Sequence, residues 1–163
     1  MAAINTSTII KEPEEGEIER CILAHKAGVS PMLIGFDPEN NALTFEHCLR
    51  INNLSDYYYE IYELLLRAIK YDRQLAHCDP GPSCSSQKGC NVMLLRGKPV
   101  LIDWGEVCAD TVYNDNDEAF ALDVFMKYWL KRVTVGQVNI FKKIQEMKEY
   151  IKSNHGIAVG TTT

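Results

Sequence analysis

The chain has no apolar run near the roughly eighteen residues that a membrane-crossing helix requires, so no membrane span is expected. Its first residues, Met1-Ala2-Ala3-Ile4-Asn5-Thr6, lack the basic start and apolar core of a secretory signal. An excess of positive charge is also missing. The net charge of −5 argues against binding nucleic acid through a basic face, so direct nucleic-acid binding is not expected. None of the six cysteines forms a close C-x2–4-C pair. Cys78, Cys84 and Cys90 recur every six residues beside His77, yet that spacing does not suit structural zinc. Thiols without a secretory signal point to a reducing compartment: the cytoplasm, with access to the nucleus left open. Internal repeats are absent.

What remains is enough for one globular domain. The 163 residues, 46% hydrophobic and 24% charged, can bury a sizeable core. Residues 7–11, Ser-Thr-Ile-Ile-Lys, read as a β-branched strand ending in lysine. Pro13 and the surrounding glutamates suit the first turn of a helix whose apolar stripe is Ile18, Cys21, Ile22 and Leu23, closed by Gly28. Two strands, 32–36 and 42–45, flank a turn of hairpin composition. A long helix follows over residues 55–76, with Ser55 as N-cap and Tyr58, Ile61, Leu65, Ala68, Ile69 and Leu75 on one face. After a loop come strands at 91–95 and 99–102 about the turn Arg96-Gly97-Lys98, then helices over 116–132 and 134–152. The order is that of an α+β domain.

The chemistry concentrates in about thirty residues. His77-Cys78-Asp79 is followed by Asn91, a hydrophobic strand, a second strand, and Asp103-Trp104-Gly105. Asp79 can supply a carboxylate beside an acceptor hydroxyl, while Asn91 and Asp103 offer hard oxygen ligands for Mg²⁺ from adjacent strand ends. Gly105 allows a sharp turn after the aspartate, and His77 braces the loop. Each motif alone is ordinary: His-x-Asp is common, and Asp-Trp-Gly is also a simple turn after a buried strand. Their order behind a long amphipathic helix makes the set specific.

With those residues in view, the chain resembles the atypical small protein kinases: the RIO group and, more closely, the kinase subunit of the KEOPS tRNA-modifying complex. Glu17-Ile18-Glu19-Arg20 with Ala27-Gly28-Val29-Ser30-Pro31 resembles that family's helix C and its exit. Asn41 to Glu46 resembles the strand entering the hinge, and Asp117 to Val124 the helix after the metal turn. The resemblance implies a minimal kinase-like fold. It makes residues 1–163 one domain, with a reduced N-lobe at 1–50, a helical C-lobe at 51–153 and a flexible tail at 154–163.

The resemblance also implies roles. Asp79 is the catalytic base, and Asn91 and Asp103 hold Mg²⁺. Lys11 contacts the ATP phosphates, Glu17 pairs with Lys11, Glu46 lies where adenine is bound, and Asp123 braces the catalytic loop. The implied activity is a serine/threonine kinase or related ATPase, with ATP and Mg²⁺ as cofactors and a protein as substrate or partner. A pseudokinase scaffold is the alternative from another class, and the Asp103-Trp104 pair keeps a small-molecule phosphotransferase open. Three departures bear on this. No glycine-rich loop precedes Lys11, Lys11 and Glu17 stand only six residues apart, and eleven residues (80–90) separate Asp79 from Asn91 where kinases place about four. The longer loop is entropically cheap, and its Lys88 is a candidate phosphate contact.

Overall fold

The β-branched run at the N-terminus forms strand β1, Thr6–Ile10, as its composition predicts. The computed structural model describes residues 6–51, 54–80, 91–107, 115–130 and 140–155. Beyond β1 the expected helix starts later than Pro13. Helix α1 spans Glu17–Lys26 because Gly16 sits at φ +78°, outside the helical region, and so resets the chain before the first turn. The Glu17 carboxylate then reaches back to the Glu14 N–H at 3.0 Å, satisfying a donor at the helix entrance. The end of α1 is as expected. Gly28 at φ +78° allows Val29 N–H to bond the Ala24 carbonyl and its own N–H to bond that of His25, closing the helix as a Schellman motif.

Strands β2, Leu33–Asp37, and β3, Ala42–Glu46, form the expected hairpin. Asp37 shapes its turn by accepting from Glu39 N–H at 3.0 Å and from Asn40 Nδ2 at 2.7 Å. β1 pairs antiparallel with β3, which gives a three-stranded sheet in the order β1-β3-β2. A second sheet, in the order β4-β5-β6, joins Leu49–Arg50, Val92–Leu95 and Lys98–Leu101. The tight turn between β5 and β6 places Arg96 at φ 52° and Gly97 at φ 79°, the paired left-handed residues of a type I′ hairpin.

After β4 comes helix α2, Tyr58–Tyr71, entered through a 3-10 turn at Leu54–Tyr57. Its cap position is Tyr57, with no side-chain cap, so Ser55 is not the N-cap. The helix also ends before residue 76. Asp72 is extended, and its carboxylate accepts from Gln74 N–H at 3.0 Å to start a separate turn at Arg73–Leu75. The predicted apolar face is correct, since Tyr58, Ile61, Leu65, Ala68, Ile69 and Leu75 are all buried.

Helix α3, Asp117–Val124, is capped by Asn116, whose Oδ1 accepts from Ala119 N–H at 2.8 Å. It continues as a π-helical stretch, Phe125–Leu130, that turns Phe125, Trp129 and Leu130 into the core. Lys70–Glu118 at 2.8 Å and Arg73–Asp117 at 2.7 Å fasten α3 to the end of α2. Helix α4, Ile140–His155, buries Met147 and Ile151 and stacks Tyr150 on Tyr59 at 4.5 Å. The tyrosine cluster of α2 therefore serves packing. The rest of the predicted last helix, and residues 156–163 of the tail, lie outside the described residues.

Gly28→Ala tests the helix stop. Nothing lies within 4 Å of an added Cβ, so the substitution is a pure backbone strain. The expected loss is about 1 kcal/mol, read as a lower urea midpoint at unchanged slope. An unmoved midpoint would contradict the capping role.

Candidate active site

Lys11 leaves β1 with its N–H still bonded to the Asn41 carbonyl at 2.8 Å, so its backbone is an extension of the sheet. Its Nζ lies 3.0 Å from Glu17 Oε2 and 3.0 Å from Asp103 Oδ1. The six-residue gap between Lys11 and Glu17 is thus sufficient, because the Gly16 turn folds α1 back over the strand end. Glu17 is 2% exposed, and a buried carboxylate of this kind needs the compensation it receives from Lys11 and the Glu14 amide. Burial pulls the Lys11 ammonium down, but hydrogen bonds to Glu17 and then Asp103, with their charges, leave it above its ordinary value.

Asp103 stands at the end of β6 in the left-handed conformation, φ 65°. Such a non-glycine residue is strained by about 1–2 kcal/mol and persists only where its surroundings dictate it. Two bonds fix the approach: Leu101 N–H to the Val29 carbonyl at 2.8 Å, and Ile102 N–H to the Asn91 carbonyl at 2.9 Å. The Asn91 side chain closes the other side. Its Nδ2 donates to the Asp79 carbonyl at 2.8 Å and lies 3.4 Å from Asp103 Oδ2. Both neighbours are acceptors, so the amide nitrogen must face them, which leaves Oδ1 as the metal-ligating type of atom. Despite the long loop, Asp79 and Asn91 remain together. Residues 81–90, with Lys88, Cys84 and Cys90, lie outside the described residues.

His77 is fully buried. Its Nε2 donates to the Ile102 carbonyl at 2.8 Å and its Nδ1 accepts from Asp79 N–H at 3.3 Å. The bracing role expected of Asp123 falls elsewhere. Asp123 is exposed and its carboxylate makes no hydrogen bond among the described residues, whereas Trp129 Nε1 donates to the His77 carbonyl at 3.0 Å. Trp129 lies in the π-helical stretch, with its ring buried.

Three further residues complete the arrangement. Arg20 on α1 donates from Nε to the Trp104 carbonyl at 2.7 Å and from Nη2 to the Gly105 carbonyl at 2.9 Å. Trp104 is fully buried with its Nε1 3.3 Å from Ser30 Oγ, so it packs the core and cannot touch an acceptor substrate. Gly105 is required for space, not for an unusual backbone angle. A Cβ there would meet Glu17 Oε1 at 3.1 Å and Lys11 Nζ at 3.4 Å. Arg20 stood inside the helix C-like motif, but nothing in the sequence linked it to residues more than eighty positions away.

Glu46 is not part of this group. It pairs with Thr6, at the end of β1 far from Lys11, roughly 17 Å away at the rise of a strand. Its carboxylate accepts from Met32 N–H at 2.8 Å and Arg96 Nη2 at 2.7 Å, and its N–H bonds the Met32 carbonyl at 3.0 Å. The Met32 amide, and then Arg96, hold that carboxyl below its usual range. Glu46 therefore ties the first sheet to the β5–β6 turn.

Among the described residues no cluster of three His, Cys, Asp or Glu side chains could hold a metal, and Cys21, Cys48 and Cys78 form no disulfide. No helix of these residues is long and apolar enough to cross a membrane. The chain matches no protein-family model and no curated protein.

Burial holds the His77 imidazole below its ordinary value of 6.5, against the opposing pull of the Ile102 carbonyl. The unfolded chain therefore binds the extra proton first, and stability is lost as the pH falls through 6.5. Melting temperature is expected to be level above about pH 7 and to fall toward about pH 5.5, before carboxylates titrate. In His77→Gln, which keeps an N–H for Ile102, that fall should shrink. Equal pH profiles for the two proteins would contradict the buried neutral imidazole.

Proposed function

We propose that this protein is a Mg²⁺- and ATP-dependent phosphotransferase of the atypical kinase type, acting on a serine or threonine hydroxyl of a protein. The observation that carries the reading is the convergence of Lys11, Glu17, Asp79, Asn91 and Asp103. They come from a strand end, a helix, a loop and two further strand ends, and are linked by contacts of 2.8–3.4 Å. Phosphoryl transfer asks a protein mainly for position and charge, and these residue types are the ones it uses.

The donor set suits magnesium. Asp103 and Asn91 offer one carboxylate and one amide oxygen, the hard ligands a Mg²⁺ ion takes beside phosphates and water. When bound, the ion would offset the charge that builds on the phosphoryl oxygens. Lys11 steadies the phosphates, and Glu17 keeps its ammonium aimed there. Asp79 orients the acceptor hydroxyl and accepts its proton, with its backbone held by Asn91 and by the His77 imidazole. The Asp103-Trp104 pair does not favour a small-molecule acceptor, because Trp104 is a core residue.

Transfer of the γ-phosphate from radiolabelled ATP to a generic protein substrate, or to water, tests the mechanism. Asp79→Asn keeps the size and the backbone bonds but removes the base, and turnover is expected to fall by about 10²–10⁴-fold. Equal turnover by the two proteins would overturn the assignment and leave a binding scaffold.

A further inference from the structure

We infer that Arg20 is a positioning residue that holds Asp103 in its left-handed, metal-ready conformation. The inference rests on the Mg²⁺-nucleotide reading of Asp103, but its geometry stands apart from that reading.

Asp103 needs an external restraint, since its φ of 65° is unfavourable for an L-residue. The only side chain described as bonding the backbone of both following residues is that of Arg20. Its planar fork places Nε 2.7 Å from the Trp104 carbonyl and Nη2 2.9 Å from the Gly105 carbonyl. Such charge-assisted bonds are short and directional, so they select one orientation of the two peptides after Asp103. The guanidinium is itself pinned at the helix entrance, where Nη2 also lies 3.2 Å from the Glu15 carbonyl.

Arg20 stands three residues after Glu17, hence on the same face of α1. The helix thus holds Asp103 in two ways. Glu17 acts on its carboxylate through Lys11, with contacts of 3.0 Å and 3.0 Å, and Arg20 acts on the backbone that follows it. Gly105 has no side chain to keep the turn off the helix, and an added Cβ there would lie 3.1 Å from Glu17 Oε1. A shift of α1 breaks both links together.

Arg20→Gln and Arg20→Lys in the full chain test this, with two readouts. In the first, ATP affinity is measured with and without Mg²⁺. Arg20→Gln should leave metal-free affinity within about twofold while the gain from Mg²⁺ drops by about tenfold or more, and Arg20→Lys should recover part of that gain. Loss of thermal stability with an unchanged Mg²⁺ gain would reduce Arg20 to a structural staple and overturn the inference. In the second readout, amide hydrogen exchange at 103–106 should accelerate in Arg20→Gln while exchange in α2 and α3 stays as in the parent. Unchanged exchange at 103–106 would overturn the positioning role. A parent chain that gains nothing from Mg²⁺ would defeat the nucleotide reading alone, with the exchange result still deciding Arg20.

Discussion

One ammonium group organises the site. Lys11 Nζ lies between a buried glutamate and a partly exposed aspartate, at 3.0 Å from each. Glu17 alone would be an expensive charge to hold at 2% exposure, and the lysine is what makes its burial tolerable. Because Glu17 lies on α1 and Asp103 follows β6, the same cation draws the first helix onto the end of the second sheet. The three groups carry a net charge of −1, which favours a cation joining them.

The rest of the fold supports this contact from both sides. Behind it, Val29 and Asn91 fix the two residues before Asp103 through backbone bonds, and Arg20 fixes the two after it. Beneath it, Trp104, His77 and Trp129 form a buried aromatic column, with ring centroids 4.8 Å and 5.4 Å apart. That column carries two of the bonds that hold the Asp79 loop, one from the His77 imidazole and one to the His77 carbonyl. Asn91 still reaches the Asp79 carbonyl at 2.8 Å across the eleven intervening residues, as the small entropic cost of a longer loop allows.

Much of this was legible in the sequence, and what was not has physical reasons. Patterns of period two and 3.6 located the strands, the hairpins and the buried face of α2, because burial along one element is a local property. The ends of helices were less visible. Gly16 and Asp72 stop or delay a helix through backbone angles, and residue type only hints at those. At the site, motif order singled out Asp79, Asn91 and Asp103, while Lys11 and Glu17 entered only through the family resemblance. The Glu46 carboxylate bonds Met32 and Arg96, contacts that no motif indicated. Trp129, not Asp123, bonds the His77 carbonyl, and it does so from a π-helical stretch that no simple periodicity anticipates. Gly105 was recognised as necessary for the wrong reason, since only the folded chain shows the Glu17 carboxylate beside it.

The central claim is that Asp103 and Asn91, beside the Lys11–Glu17 pair, form a metal-nucleotide site. Electron paramagnetic resonance of Mn²⁺ in place of Mg²⁺ tests it most directly. The account expects protein-bound Mn²⁺ when ATP is present, and loss of that signal in Asp103→Asn at unchanged fold. A bound-Mn²⁺ spectrum identical in Asp103→Asn, or its absence with ATP in the parent chain, would contradict it.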